Sequence, residues 1–563
     1  MGSEGHVLLI LIVFVHSVAH GYAGVQPRDD SENNFPFNRH NFSSRFVFGA
    51  ASSAYQYEGA WNVSGKGPNN WDNFTQTYPE MIKGNASGNV AVNFYDHYPD
   101  DIVRMNKTGF DAIRISLSWS RILPGGHVKL VNGSSGVNHD GVKYYHKLID
   151  DILSKGLKPF VTLFHFDMPQ ALQDEYGGFL DYKIVNDFED YADLCFKEFG
   201  HKVQYWITIN EPWSYSAMGY AYGSFPPGRC SKDENLQKSE DLYRVGRAFK
   251  SLFISCPVPG DSGTEPYNVT HHLLLAHAKA VQLYRNKYQR IQSKIMGKIG
   301  IVNVVQWMLP FDTQSKNDTA AANRALDFMY GWFMQPLYNG SYPYSMIEYV
   351  GHRLPNFTKN ESEIVKGSFD FIGLNYYTAA YAKYVPCKNI SSYLTDSCAS
   401  LTEVNATEHQ IGPKAGSDWL YVYPEGLGDI LNYTKNQYNN PEIYVTENGV
   451  DLINGYNIQH DSMRIKYHED HLHVLHDVMN RTGVKVSGYF VWSFLDNFEW
   501  TEGYTVRFGL VYVNYFNETL LRFSKDSVSW FNKFLKNGTE SRPKIPNTGL
   551  ALGSMSVHQN GVM

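Results

Sequence analysis

Eight short runs of β-forming residues recur along this chain, and each is followed by a longer stretch in which apolar residues return at helical spacing. The runs are 46–50, 112–117, 160–164, 205–210, 300–304, 369–375, 443–446 and 486–490. Among the connections, 140–155 places Val142, Leu148, Ile149 and Ile152 on one helical face, and 271–288 has the same character. Parallel strands need crossovers of a dozen or more residues, usually helices. Eight such units predict an α/β chain folded as a single closed (β/α)8 barrel with long βα loops at its C-terminal mouth. No Pro/Ser-rich linker or change of composition interrupts residues 40–535, so one domain is expected there, although 563 residues would ordinarily suggest several. Residues 24–39 and 536–563 are polar, poor in pattern, and read as flanking extensions.

Charge narrows what such a barrel can act on. With 49 Lys and Arg against 56 Asp and Glu, the net charge of −7 leaves no basic excess to neutralise a phosphate backbone, which argues against nucleic acid as a partner. Aromatic residues make up 15% of the chain, which suits a large core and equally suits surfaces that stack on sugars. The one long apolar stretch, 7–15, is shorter than the roughly 20 residues a membrane span needs. It reads as the centre of a signal peptide covering 1–23, with Gly21-Tyr22-Ala23 as a small-residue cleavage site. No stable membrane association is expected, and 17 Asn-X-Ser/Thr sequons support passage through the secretory pathway. Of five cysteines, Cys195 lies on the apolar side of a helical pattern. The others form two local pairs as disulfide candidates, Cys230 with Cys256 and Cys387 with Cys398. Neither a Cys-X-X-Cys nor a His-Glu-X-X-His spacing occurs, so no metal site is expected.

Two glutamates stand directly at strand ends, one in Ile207-Thr-Ile-Asn-Glu211-Pro and one in Ile443-Tyr-Val-Thr-Glu447-Asn-Gly. In a (β/α)8 barrel all C-terminal strand ends face one mouth, so carboxylates far apart in sequence can converge. A convergent pair suits cleavage of a glycosidic bond, with one group as acid on the leaving oxygen and the other across the anomeric carbon. Four further motifs accompany them in order: Phe46-Val-Phe-Gly-Ala-Ala-Ser-Ser-Ala-Tyr-Gln56-Tyr-Glu58-Gly, Arg114-Ile-Ser-Leu-Ser-Trp119-Ser-Arg121, Gly373-Leu-Asn375-Tyr376-Tyr377 and Trp492-Ser-Phe-Leu-Asp-Asn-Phe-Glu499-Trp500. With these, residues 40–535 resemble glycoside hydrolase family 1, and within it the secreted plant β-glucosidases.

The resemblance implies a retaining β-D-glucosidase that needs no cofactor and takes a small-molecule O-linked β-glucoside, with homodimerisation left open. It matches Glu447 to the nucleophile and Glu211 to the general acid and later base, about 5–5.5 Å apart in such retaining pairs. Arg114 and Tyr377 match groups beside the nucleophile, where a cation and a hydroxyl donor favour the charged carboxylate. Gln56, His165, Asn210, Trp492, Glu499, Trp500 and Phe508 match the sugar-binding set. Met218, Phe225, Trp419 and Thr501 match the aglycone pocket, where apolar walls fit a phenolic, terpenoid or cyanohydrin group. The implied destinations are the extracellular space or apoplast, the vacuole, or endoplasmic-reticulum bodies. The C-terminal Gln559-Asn-Gly-Val-Met563 is not a Lys-Asp-Glu-Leu type signal.

The chain departs from the family pattern at His165-Phe166-Asp167, where Trp is usual between the His and the Asp. Residues 231–255 are longer than expected between half-cystines, and Leu242, Val245, Phe249, Leu252 and Phe253 have helical spacing, so a lid over the aglycone entrance is one expectation and a plain surface insertion the other. Thioglucoside hydrolysis, as in myrosinases, is the nearest alternative. Typical myrosinases carry Gln at the acid position, whereas this chain has Glu211, and Ile453-Asn454 stands where the atypical ones carry a basic pair. An inactive glycan-binding or storage glycoprotein is the alternative from another class, and the intact Glu211 and Glu447 argue against it.

Overall fold

All eight expected runs are strands, and they close on themselves. The computed structural model describes residues 37–130, 132–232, 256–290, 296–387, 390–455, 458–516 and 518–536. The barrel strands are β1 (Val47–Ala51), β2 (Ala112–Ser116), β3 (Lys158–Phe164), β4 (Tyr205–Asn210), β5 (Lys298–Pro310), β6 (Phe371–Tyr384), β7 (Ile443–Asn448) and β8 (Val486–Val491). Each pairs in parallel with the next, and β8 returns to β1 through Val47 opposite Gly488, so the ring has no edge. A strand covered by helices outside and side chains inside is buried on both faces, which is why these segments read as continuous apolar runs.

Aromatic rings fill the barrel floor. Phe160 lies 4.1 Å from Tyr205 in a stacked pair and 4.8 Å from Phe490, while Phe371 meets Tyr444 edge-on at 5.1 Å. Gly49 makes room for this layer, because a Cβ there would stand 2.2 Å from the Phe490 ring. Burying one such ring stabilises the fold by about 1.5–3 kcal/mol, so the floor holds the strand ends above it in fixed positions.

The expected helix at 140–155 is found at His139–Ser154. The one expected at 271–288 starts earlier, at Glu265, and ends at Lys287. Pro266 explains the difference: proline suits the first helical turn, where its missing N–H costs nothing, so Glu265-Pro266 is a start signal that apolar spacing alone overlooks.

β5 and β6 also run past the expected 304 and 375. Beyond the barrel rim they stay paired from Trp307–Ala379 to Pro310–Ala382, and a short strand, Ala399–Thr402, adds antiparallel to the end of β6. The chain after β5 forms a helix at Lys316–Leu326, a π-helical turn at Asp327–Gly331, and a second helix at Trp332–Asn339.

Cys230 is bonded to Cys256 and Cys387 to Cys398, while Cys195 is a buried free thiol. The expected signal peptide at 1–23, nearly all of the extension at 24–39, the apolar positions of the 231–255 insertion and the tail beyond Lys536 lie outside the described residues. Among the described residues no helix is long and apolar enough to cross a membrane, and no group of three or more His, Cys, Asp or Glu is placed to hold a metal ion.

Candidate active site

The strand ends at the C-terminal mouth carry the polar residues that the sequence singles out. Arg114 is on β2, His165 follows β3, Asn210 ends β4 with Glu211 next, Asn375 and Tyr377 share one face of β6 by their spacing of two, and Glu447 is on β7. Gln56 lies in the helical turn after β1, and Trp492, Glu499, Trp500 and Phe508 follow β8. Two local backbone features aim the glutamates. Pairing of β7 with β6 shifts register between Val445 and Glu447, a bulge of the kind that re-aims a side chain. Glu211 has φ 41° and ψ 63°, left-handed backbone that costs a non-glycine residue about 1–3 kcal/mol and collects at functional sites.

Glu447 has a partner on each oxygen. Arg114 Nη1 donates to Oε1, and the Tyr377 hydroxyl donates to Oε2 at 2.6 Å. Burial, then the negative charge of Glu447, push the Tyr377 phenol well above its ordinary value, so it keeps its proton and acts as a donor. Arg114 is wholly buried beneath the pair, and its Nη2 donates to Asn210 Oδ1 at 2.5 Å. Sequence alone allows a core ion pair or a catalytic neighbour for this arginine, and in the structure it is a buried ion-pair partner of Glu447.

Glu211 sits in a different field. Asn375 Nδ2 donates to its Oε1 at 2.6 Å and Ser214 Oγ to its Oε2 at 2.7 Å. Those two hydrogen bonds and the charge of Arg114 favour the carboxylate, but burial and the charge of Glu447 outweigh them and raise Glu211 to about 7. At neutral pH one carboxyl of the pair is therefore poised to hold a proton beside the other, the division of labour that acid and nucleophile require.

The remaining sugar-end residues form one connected set. Asn210 Oδ1 accepts from Arg114 and also from Asn375 at 3.2 Å, so its Nδ2 faces His165 Nε2 at 3.2 Å as a donor. His165 therefore carries its proton on Nδ1, and burial together with Arg114 pushes it well below its ordinary value, so the ring is neutral. Gln56 is fixed by the Phe498 carbonyl at 2.8 Å and Asn497 at 3.0 Å, and it reaches Glu499 Oε2 at 3.4 Å. Burial and the charges of Asp451, Asp496 and Glu447 hold Glu499 well above the carboxylate range. His165 Nδ1 and Glu499 Oε1 are buried polar atoms with no protein partner in the structure, and both residues line the cavity, so both atoms are available to a bound group. The His165 ring lies nearly parallel to Trp492 and Trp500, at 6.1 and 6.0 Å.

Gln56, His165, Asn210, Glu211, Ser214, Tyr377, Glu447, Trp492, Glu499, Trp500 and Phe508 line one cavity of about 670 Å³, with Arg114 and Asn375 behind its wall. So do Met218, Phe225, Trp419 and Thr501, the expected mouth residues. Phe225 stands closer to the sugar end than an outer wall residue would, with its ring 5.6 Å from Trp500 and 5.9 Å from Phe166. Phe166 packs 5.2 Å from Trp500, so the departure from Trp keeps the aromatic contact and lacks only the indole N–H.

Two residues with clear roles carried none in the sequence reading. Asn375 was legible in principle, two residues before Tyr377 on one strand face. Ser214 lies three residues after Glu211 on a helix, a spacing that brings side chains together but is too common to stand out.

Known proteins resemble this chain over most of its length. The model of the glycosyl hydrolase family 1 matches residues 38–539. Raucaffricine-O-β-D-glucosidase of Rauvolfia serpentina is 50% identical over 90% of this chain and 94% of its own, and β-glucosidase 12 of Oryza sativa subsp. indica is 50% identical over 93% and 97%. Oleuropein β-glucosidase of Olea europaea is 47% identical over 92% and 94%. A mutant rice β-glucosidase solved in a covalent complex with glucose superposes with a TM-score of 0.81 at 42% identity, covering 89% of this chain and 100% of that one.

Proposed function

The chain belongs to glycosyl hydrolase family 1 and is a β-glucosidase of O-linked glucosides, and from that premise we propose that Glu447 is its nucleophile and Glu211 its acid and then its base. In the first step Glu211 gives its proton to the glycosidic oxygen while a Glu447 oxygen attacks the anomeric carbon from the opposite face. The bond to the aglycone breaks, the aglycone leaves as an alcohol, and the glucosyl group stays esterified to Glu447. In the second step Glu211, now a carboxylate, takes a proton from water as that oxygen attacks the same carbon and releases Glu447 and β-glucose. Two inversions leave the configuration retained.

The observation that carries this reading is the unequal setting of the two carboxyl groups. Glu447 has a cation and a phenol as fixed donors, whereas Glu211 is raised to about 7 by burial and by the Glu447 charge. Esterification removes that charge, so Glu211 becomes more acidic when it must act as base. In this reading Asn210 supports the chemistry by donating from Nδ2 to the sugar 2-hydroxyl, a hydrogen bond that strengthens in the oxocarbenium-like transition state. Proton NMR of the first-formed sugar from a β-glucoside tests the sequence of steps. β-Glucose should appear first, and initial release of the α-anomer would contradict double displacement.

The aglycone is held by Met218, Phe225, Trp419 and Thr501 in this reading, and relatives named for raucaffricine and oleuropein support a small-molecule glucoside. We also assign the protein to the secretory pathway as a glycoprotein. The apolar stretch at 7–15 and the 17 sequons support this, and none of the sequon asparagines among the described residues is buried. Enzymatic removal of N-glycans should lower the mass of the protein isolated from its source, and an unchanged mass would count against this assignment.

A further inference from the structure

The cavity continues past the sugar end along a side that none of the expected residues occupies. β5 contributes nothing to the sugar-binding set, yet Val304 and Gln306 near its barrel end and Met308 on its extension beyond the rim line the cavity wall. The π-helical turn at Asp327–Gly331 packs beside this strand and brings Phe328 and Met329 to the same cavity. Such turns occur mostly as single insertions inside α-helices, frequently at functional sites.

The turn is fixed to the catalytic helix by hydrogen bonds. Trp213, two residues after Glu211, donates from Nε1 to the Tyr393 hydroxyl at 2.5 Å, and that hydroxyl donates to the Phe328 carbonyl at 3.1 Å. Tyr393 also lines the cavity, in the segment closed by the Cys387–Cys398 bond. A mostly apolar arm of the cavity, with Gln306 among Val304, Met308, Phe328 and Met329, is thus tied to the helix that follows Glu211.

Resting on the roles given above to Glu211 and Glu447, we propose that this arm binds an extended apolar aglycone, longer than a single ring, and that Phe328 and Met329 determine that preference. At about 670 Å³ the cavity lies well inside the range of roughly 300–1,000 Å³ typical of sites for drug-sized ligands, more than one sugar ring needs. Met308 and Met329 suit a flexible or irregular framework, because the unbranched thioether side chain adapts its shape to what it packs against. Polar groups such as Glu403, Lys414 and Asp418 line the cavity as well, and Lys414 pairs with Asp418 at 2.5 Å.

The test uses the full-length enzyme and a series of straight-chain β-glucosides from ethyl to dodecyl, whose primary alcohols leave with nearly equal acidity. Each methylene buried in the arm can raise kcat/KM by up to about fourfold. The octyl-to-ethyl ratio should therefore exceed about 30. Met329→Trp, which fills the arm, should lower that ratio at least about fivefold, and Phe328→Ala, which widens it, should move the optimum to a longer chain. A flat series in the wild type overturns the proposal, as does a ratio that responds to Trp419→Ala but to neither arm variant. 4-Nitrophenyl β-glucoside separates the two levels of inference: no turnover of it by the wild type rejects the catalytic reading itself, whereas turnover with a flat alkyl series rejects only the arm.

Discussion

The two ends of the cavity are built in opposite ways. At the sugar end the carboxyl pair and the amide beside it are held on or next to barrel strands: both oxygens of Glu447, both of Glu211 and both amide atoms of Asn210 are engaged. At the mouth, Met218, Trp419, Met308 and Met329 present apolar surface, and most come from loops, a strand extension and a π-helical turn. The difference teaches that the chemistry depends on positions a rigid closed sheet can hold, while the choice of aglycone rests on segments that can change without moving the carboxyl pair. Substitutions at the first end should act on kcat with every substrate, and substitutions at the second on the relative rates of different substrates.

The largest effect expected is at Glu447. Glu447→Ala should lower turnover of a chromogenic aryl β-glucoside by about 10⁴-fold or more, because no other group can form the ester. Equal turnover in wild type and variant would break the comparison outright. Next is Glu211→Gln, expected to cost about 10²–10⁴-fold on an alkyl glucoside, whose leaving oxygen needs a proton, and far less on a dinitrophenyl glucoside, whose does not. Equal slowing on both would remove the acid role.

The pH dependence sharpens the same contrast. Glu211 must be protonated for the first step, so kcat/KM should fall as pH rises through about 7. Asn375 favours the charged form of Glu211, so Asn375→Ala should move this limb to higher pH and cost about tenfold in rate. A limb moving to lower pH would contradict the assigned field. The smallest effect is expected at the junction of the two ends, where Phe166→Trp should change kcat/KM by only a few-fold, since the ring contact with Trp500 already exists.

The barrel was legible in the sequence because strands buried on both faces leave uninterrupted apolar runs, and all eight were found near their true positions. The extensions of β5 and β6 were not, since 305–310 and 376–384 are paired outside the barrel and mix buried with half-exposed residues. The candidate carboxyl pair was legible through motifs at strand ends, Asn210-Glu211 and Thr446-Glu447, which the closed barrel brings to one cavity. Asn375 and Ser214 were not singled out, because their importance lies in a distance to Glu211 that only the folded chain sets. The π-helical turn at Asp327–Gly331 was invisible for a similar reason: Phe328 and Met329 read as ordinary apolar residues of a helix.

Trapping shows whether Glu447 carries the glucosyl group. A 2-deoxy-2-fluoro β-glucoside with an acidic leaving group slows the second step more than the first, so the ester should accumulate and survive proteolysis and mass spectrometry. The account predicts a single labelled peptide with the sugar on Glu447. A label on Glu211 or any other residue, or full turnover of a β-glucoside with no labelled peptide, would contradict it.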